Sequence, residues 1–240
     1  MNLGINVNDK VVEHDDSHSR RVVTSLEKCP TVGSTDGMPV HFVIRRVKER
    51  GHSGDGNPLI YALKGLQSYQ FVDGHRDIIL ERAREIIGKI ECDFDGILAC
   101  PSSNSFNVEF ATLLSEVLGV DLIDSSWMAK TTIKDAITEL EAVFPDLQGA
   151  KRHAAIKQLN AWRNSPGDSL VSMKLVDQKV RSLVKPIAPK TSVDLSGKSH
   201  ILVADDLMAS GATLRSAMHS CLANGAQNVS GICFMSRLRS

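Results

Sequence analysis

The chain has 240 residues, in which 28 Lys and Arg balance 28 Asp and Glu, and 42% of the residues are apolar. This composition is typical of a globular protein, and zero net charge argues against general nucleic-acid binding, which needs excess Lys and Arg. No apolar run approaches the roughly 18 residues of a membrane-spanning helix, and the polar start of the chain does not resemble a signal peptide. The five cysteines are odd in number and form no Cys-x-x-Cys pair, so we expect reduced thiols and a cytoplasmic protein.

Residues 1–38 combine polar clusters with brief apolar runs such as Val22-Val23. We interpret them as a flexible N-terminal arm with room for one short strand. Residues 39–240 are predicted to form one domain. Its first strand is Val40–Ile44, which is rich in β-forming residues. A helix is predicted over Asp77–Ile90, where isoleucine and alanine recur at helical spacing.

Two β–α–β units follow along the chain. The first consists of a strand over Gly96–Cys100, a helix over Asn107–Leu118 and a strand over Val120–Ile123. The second consists of a strand over His200–Ala204, a helix over Thr213–Ala223 and a strand over Val229–Met235. Such units pair their strands in parallel. The predicted fold class is therefore α/β, an open and mainly parallel sheet flanked by helices, with a ligand site beyond the carboxyl ends of the strands.

A polar insertion, about residues 125–194, separates the two units. It predicts two helices, Lys134–Phe144 and Gly149–Trp162. Thr132 and Asp135 are spaced like a capping box at the start of the first of them. The insertion is therefore expected to be helical and to interrupt the sheet.

The stretch that carries chemistry begins with the first strand of the second unit. This strand delivers two adjacent carboxylates, Asp205 and Asp206, and a loop of small residues, Ala209–Ala212, then opens a helix. The first N–H groups of a helix lack partners and lie at its positive end, so they bind phosphate, and the Ser210 and Thr213 hydroxyls can donate further hydrogen bonds. Carboxylates beside a phosphate site are suited to accept hydrogen bonds from sugar hydroxyls. The residues alone predict a site for a phosphorylated sugar.

The stretch Ile201–Leu214 resembles the phosphoribosyl-pyrophosphate signature of type I phosphoribosyltransferases, with four hydrophobic residues, two acids, two hydrophobic residues and a Ser-Gly-x-Thr loop. Leu195–Lys198 before it and Asn224–Ala226 after it are also similar to that family. Ala204 departs from the pattern, because a larger side chain is common there. The resemblance implies the type I phosphoribosyltransferase fold.

The resemblance also implies roles for the residues of this stretch. Asp205 and Asp206 would hold the ribose hydroxyls and act as catalytic carboxylates that stabilise an oxocarbenium-like transition state. The 5′-phosphate would be held by Ala209, Ser210, Gly211, Ala212 and Thr213. Mg²⁺ would be the cofactor and would bridge ligand oxygens and water without direct protein ligands. The implied reaction moves ribose 5-phosphate from phosphoribosyl pyrophosphate to a nucleobase-like acceptor and releases pyrophosphate, which is pentosyl (glycosyl) transfer.

A second stretch, Ile97–Ser102, resembles the pyrophosphate loop of the ComF-type branch of this family, and Ala62-Leu63-Lys64 is a fainter match to the same branch. The resemblance implies that pyrophosphate is bound by Cys100, Pro101, Ser102, Ser103 and Asn104. Two features depart from the branch. Asn104-Ser105 replaces an Arg-Gly pair, which removes a cation, and the N-terminal four-cysteine zinc module is absent.

Members of the family often carry a catalytic cation on a mobile loop after the second strand, and Lys130 and Lys134 lie in that region, where they could equally be solvated surface lysines. The insertion would be the hood that selects the acceptor, which the sequence does not identify. An alternative function is a non-catalytic protein that senses phosphoribosyl pyrophosphate or a nucleotide on the same fold, in competence or phage defence. The missing loop arginine favours it. A homodimer and a protein partner both stay open.

Overall fold

The computed structural model describes residues 3–48, 55–91, 93–102 and 104–236. The chain divides into two compact units, one made of Met1–Ser125 and Asp194–Ser240 and the other of Ser126–Val193. In the described part of the chain, no helix combines the length and the apolarity that crossing a bilayer requires.

The elements are numbered in chain order. Those of the larger unit before the break are β1 (Gly4–Asn8), β2 (Val11–Asp15), β3 (Val22–Val23), β4 (Thr31–Thr35), β5 (Met38–Arg46), α1 (Asn57–Leu63), β6 (Gln70–Phe71), α2 (His75–Ile87), β7 (Gly96–Ala99), α3 (Phe106–Leu118) and β8 (Leu122–Ile123). Those of the smaller unit include β9 (Met128–Lys130), α4 (Ile133–Val143), α5 (Gly149–Arg163) and β10 (Ile187–Pro189). The larger unit ends with β11 (His200–Leu207), α6 (Ala212–Ala223) and β12 (Asn228–Met235).

The central sheet of the larger unit has the strand order β3-β5-β12-β11-β7-β8, with β4 also paired to β5. The five strands from β5 to β8 in this order are parallel, whereas β3 and β4 run antiparallel to β5. In register, Leu207 lies opposite Met235, which lies opposite Ile44, so the carboxyl ends of β11, β12 and β5 meet at one edge. The predicted α/β class, an open and mainly parallel sheet flanked by helices, is confirmed.

An aromatic cluster fixes α3 against the sheet. Phe106 and Phe110 of α3 are fully buried and meet the Phe234 ring of β12 edge-on, with ring centroids 5.1 Å and 5.4 Å apart. This arrangement suits the quadrupoles of the rings. The helix ends where predicted, at Gly119, whose left-handed φ of 66° lets its N–H donate to the Ser115 carbonyl.

The N-terminal segment forms four strands, whereas the sequence predicted an arm with at most one. Strands β1 and β2 form an antiparallel hairpin that β6 extends, while β3 and β4 join the central sheet. Leu3, Ile5 and Val12 are buried there. The strands have five residues or fewer and are joined by tight turns, as at Asp9 and Lys10 with φ of 46° and 67°. Runs this short carry little alternation, which explains why the pattern missed them.

The smaller unit has a hydrophobic core of its own, to which Leu140 of α4 and Leu159 and Trp162 of α5 contribute. Both helices lie where the sequence predicted them. The Thr132 hydroxyl oxygen accepts a hydrogen bond from the Asp135 N–H at 3.2 Å, so the predicted cap of α4 is confirmed. The short strands β9 and β10 pair antiparallel.

Candidate functional site

The acid pair, Asp205 and Asp206, lies inside β11, because the strand continues to Leu207 instead of ending at Ala204 as predicted. Side chains alternate along a strand, so Asp206 shares the face of Ala204, which packs in the core cluster of α1, α2 and α3, and Asp205 lies on the other face. Asp206 is only 7% exposed. One Asp205 carboxylate oxygen accepts the Asp206 N–H at 3.0 Å. The two carboxylates therefore lie on opposite faces of β11, near its carboxyl end.

Two thiols line the acid pair. Burial above all, and after it the negative charge of Asp205, raises the pKa of Cys100 and of Cys233 well above the usual value. Both side chains consequently stay protonated and act as small apolar groups. All four cysteines in the described part of the chain are free thiols.

The phosphate loop, Ala209–Thr213, turns tightly from β11 into α6. Gly211 has a φ of 74°, and a Cβ atom there would lie 2.7 Å from the Met208 methyl carbon. Ala209 and Ser210 are exposed, and the Ser210 hydroxyl oxygen accepts the Ala212 N–H at 3.4 Å. The structure thus brings the five predicted phosphate-binding residues together around the first turn of a 12-residue helix.

The hairpin between β4 and β5 supports this loop from behind. Asp36, at the hairpin turn, pairs with Arg215 at 3.5 Å and with His219 at 3.2 Å, both on α6. A Cβ atom at Gly211 would lie 3.6 Å from the Thr35 hydroxyl oxygen. This support was not predicted, because residues 31–38 of the hairpin fall in the segment interpreted as an arm outside the domain.

The β7 loop, Cys100–Asn104, lies beside the acid pair, because β7 is the parallel neighbour of β11. The Cys100 N–H donates to the Ala204 carbonyl at 2.8 Å, so this N–H belongs to the hydrogen bonds of the sheet. The Cys100 carbonyl accepts from the buried Asn107 amide at 2.6 Å. Pro101 is half-buried and Ser102 is exposed, whereas Ser103 lies outside the described residues.

Asn104 fixes the far end of the β7 loop. Its side-chain oxygen accepts the Phe106 N–H at 2.8 Å, and its side-chain nitrogen donates to the Lys64 carbonyl at 2.8 Å. Its own N–H donates to the Ser102 hydroxyl oxygen at 3.2 Å. The Asn104 side chain therefore connects the loop by hydrogen bonds to the start of α3 and to the end of α1.

Lys64 also lies at this site, and its signal in the sequence was only the faint Ala62-Leu63-Lys64 match. It caps the C-terminus of α1, where its N–H donates to the Ile60 carbonyl at 3.1 Å. Its ammonium group forms an ion pair with the Asp206 carboxylate. The side chains of the two residues are 16% and 10% exposed, so the pair is largely shielded from water.

The other predicted cations belong to the smaller unit. Lys130 lies in β9 opposite Ile187, and Lys134 is exposed in the first turn of α4. Their role on a mobile loop stays a prediction. No three His, Cys, Asp or Glu side chains of the described residues cluster closely enough to hold a metal ion.

A cavity of about 500 Å³ lies between α2 and α3. Phe106, Phe110 and Phe234 contribute to its lining, and acidic and basic side chains of the two helices surround them. Neither carboxylate of the acid pair contributes to that lining, so this cavity is separate from the site that the sequence predicts.

Comparison with known protein families and with curated proteins finds no match for the sequence. Among solved structures, the chain is similar to the crystal structure of an adenine phosphoribosyltransferase from Leishmania tarentolae. The sequences are 11% identical, the TM-score is 0.34, and the likeness covers 98% of this chain and 94% of that one. At this identity and TM-score the likeness is too distant to assign an activity.

Proposed function

We propose that the protein is a phosphoribosyltransferase of the ComF-type branch. It binds phosphoribosyl pyrophosphate at the carboxyl edge of the sheet and transfers ribose 5-phosphate to a nitrogenous base. The observation that carries the proposal is the position of the acid pair between two loops. The phosphate loop follows it directly in the chain, and the β7 loop adjoins it through the hydrogen bond from Cys100 to Ala204.

The order of these groups fits the order of groups in the ligand. The ligand is a ribose with a 5′-phosphate at one end and a 1-pyrophosphate at the other. It therefore needs a site for the ribose hydroxyls with one anion site on each side. The start of α6 suits the phosphate, because helix N-termini bind anions. The acid pair suits the ribose hydroxyls, which donate hydrogen bonds to carboxylates, and the β7 loop suits the pyrophosphate.

In the proposed reaction, a base nitrogen forms a bond to the anomeric carbon, and the bond from that carbon to the pyrophosphate oxygen breaks. The electron pair of the broken bond leaves with pyrophosphate, and the base nitrogen loses its proton. Positive charge develops on the ribose ring in between. In this proposal the negative charges of Asp205 and Asp206 stabilise it, and their position on a strand that is paired on both sides limits reorganisation.

Mg²⁺ fits the donor chemistry of this edge. The acid pair offers carboxylate oxygens, which Mg²⁺ prefers, and Mg²⁺ typically keeps several waters and takes substrate phosphates as ligands. We therefore propose that Mg²⁺ would be held together with the pyrophosphate group, beside Asp205 and Asp206 and without direct protein ligands. When bound, it neutralises charge on the leaving group.

The smaller unit, Ser126–Val193, is proposed as the hood that selects the acceptor base and carries Lys130 and Lys134. Free and buried thiols support a cytoplasmic location.

One observation favours the alternative of a non-catalytic sensor. Asn104 replaces the loop arginine of the branch and uses both its side-chain oxygen and its side-chain nitrogen within the protein.

A pyrophosphate-release assay separates the two functions. The purified protein is incubated with phosphoribosyl pyrophosphate, Mg²⁺ and a panel of purine and pyrimidine bases. The enzyme is expected to release pyrophosphate with at least one base, and the Asp205→Asn/Asp206→Asn variant to lose orders of magnitude in rate while binding weakens moderately. Binding of the sugar without release with any base would reject the enzyme and leave the sensor.

A further inference from the structure

The acid pair and its two flanking loops, as far as the structure describes them, contribute two carboxylates and no cationic side chain. Phosphoribosyl pyrophosphate brings anionic groups at both ends, and the acid pair adds two carboxylates between them. The β7 loop ends with the neutral Asn104, and the neutral Ser105 follows it. A pyrophosphate group in a partly desolvated site needs a cation in addition to backbone N–H groups.

Lys64 lies where this cation is needed. Its carbonyl is held by the Asn104 side chain of the β7 loop at 2.8 Å, and its ammonium group is held by Asp206 of the acid pair. One residue thus connects the proposed pyrophosphate subsite with the proposed ribose subsite. Its backbone is fixed at the end of α1, where Leu59, Ile60 and Leu63 are buried.

Resting on the proposed function, we propose that Lys64 is the pyrophosphate-binding cation of this protein and that it exchanges partners when the ligand binds. Without ligand, its ammonium group neutralises Asp206. With ligand, the ammonium group moves to a pyrophosphate oxygen. The Asp206 carboxylate is then free to accept a hydrogen bond from a ribose hydroxyl. The long, flexible side chain of lysine allows this movement while Asn104 keeps the backbone of Lys64 beside the loop.

The exchange differs from a fixed structural role in a measurable way. If Lys64 only positions Asp206, its removal disturbs the ribose subsite, and every ligand that contains ribose binds less well. If Lys64 exchanges partners, its removal affects ligands that contain the pyrophosphate group and leaves the ribose subsite with a free carboxylate. Binding of two ligand fragments therefore distinguishes the two roles.

The test compares Lys64→Met with wild type in calorimetric titrations with Mg²⁺-pyrophosphate and with ribose 5-phosphate. We expect the variant to bind pyrophosphate about tenfold or more weakly, because it loses a charge-assisted hydrogen bond, while ribose 5-phosphate binds at least as tightly as in wild type, because the Asp206 carboxylate is already free. Lys89→Met is the matched control. Lys89 donates to the Leu26 carbonyl, away from the acid pair, and its replacement should change neither affinity.

Equal losses for both fragments, or an unchanged affinity for pyrophosphate, would overturn the proposal and leave the phosphoribosyltransferase function intact. Failure of wild type to bind either fragment or phosphoribosyl pyrophosphate would instead reject the proposed function itself. Should Lys64→Met fail to fold because it strands the buried Asp206 charge, Lys64→Met/Asp206→Asn is compared with Asp206→Asn. The same tenfold loss of pyrophosphate affinity is expected between these two variants.

Discussion

Replacing Gly211 by alanine separates backbone strain from ligand binding. Gly211 has a φ of 74°, and a Cβ atom would approach the Met208 methyl carbon to 2.7 Å. The left-handed conformation costs alanine about 1–2 kcal/mol, and the less flexible unfolded chain returns about 0.4–1 kcal/mol of this. The end of the methionine side chain can move away, so a net loss of about 1 kcal/mol is expected, which lowers Tm by ~2–4 °C in a protein of this size.

Gly119→Ala is the matched control. Gly119 has a φ of 66°, and a Cβ atom there would meet no atom within 4 Å. The control should lose about 1 kcal/mol by the same backbone effect. Thermal unfolding measures both losses, and calorimetry with phosphoribosyl pyrophosphate measures binding. Only Gly211→Ala is expected to bind the ligand about tenfold or more weakly, because its methyl group blocks close approach of phosphate to the backbone. Equal affinities of the two variants would refute the assignment of the phosphate loop.

Three further outcomes are expected from urea unfolding. Asn107→Ala should cost about 1–3 kcal/mol, because it leaves the buried Cys100 carbonyl without its donor. Lys64→Met should cost about 3 kcal/mol and Lys64→Met/Asp206→Asn less, because only the single variant strands a shielded charge. Burial lowers the pKa of His41, so below about pH 6.5 the unfolded chain binds a proton that the fold does not. Stability should therefore fall as the pH drops below about 6.5, and His41→Gln should reduce that fall. These expectations would be contradicted if the Asn107 and Lys64 variants were as stable as wild type, or if His41→Gln lost as much stability at low pH as wild type.

The sequence predicted the elements whose apolar residues repeat over several turns. Helix α3, for example, begins at Phe106 and ends at Leu118, within one residue of the prediction, because its stripe is long and Gly119 ends it. The order of strands and helices around the acid pair followed from the same patterns. A helix of seven residues such as α1 is too short for a stripe, and its start at Asn57-Pro58 has the composition of a loop.

Contacts between distant segments could not be predicted from the sequence. β11 extends past Ala204 through two carboxylates because β12 continues beside it and because Lys64 neutralises Asp206. The pairing with β12 followed from the second β–α–β unit, whereas Lys64 lies far from β11 in the chain, and no pattern in the sequence indicated that it would meet Asp206. The same holds for the hairpin at Asp36 that supports the phosphate loop. Local composition predicted where the loops lie. Which charged side chains form ion pairs, such as Lys64 with Asp206 and Asp36 with Arg215, depends on tertiary packing.

The most direct test of the account is a calorimetric titration of wild type with phosphoribosyl pyrophosphate and Mg²⁺, repeated with Asp205→Asn/Asp206→Asn. We expect saturable binding by wild type and weaker binding by the variant, because the acid pair is proposed to accept hydrogen bonds from the ribose hydroxyls. Absence of binding by wild type at about 1 mM ligand, the weak limit of specific recognition, would contradict both the enzyme and the sensor.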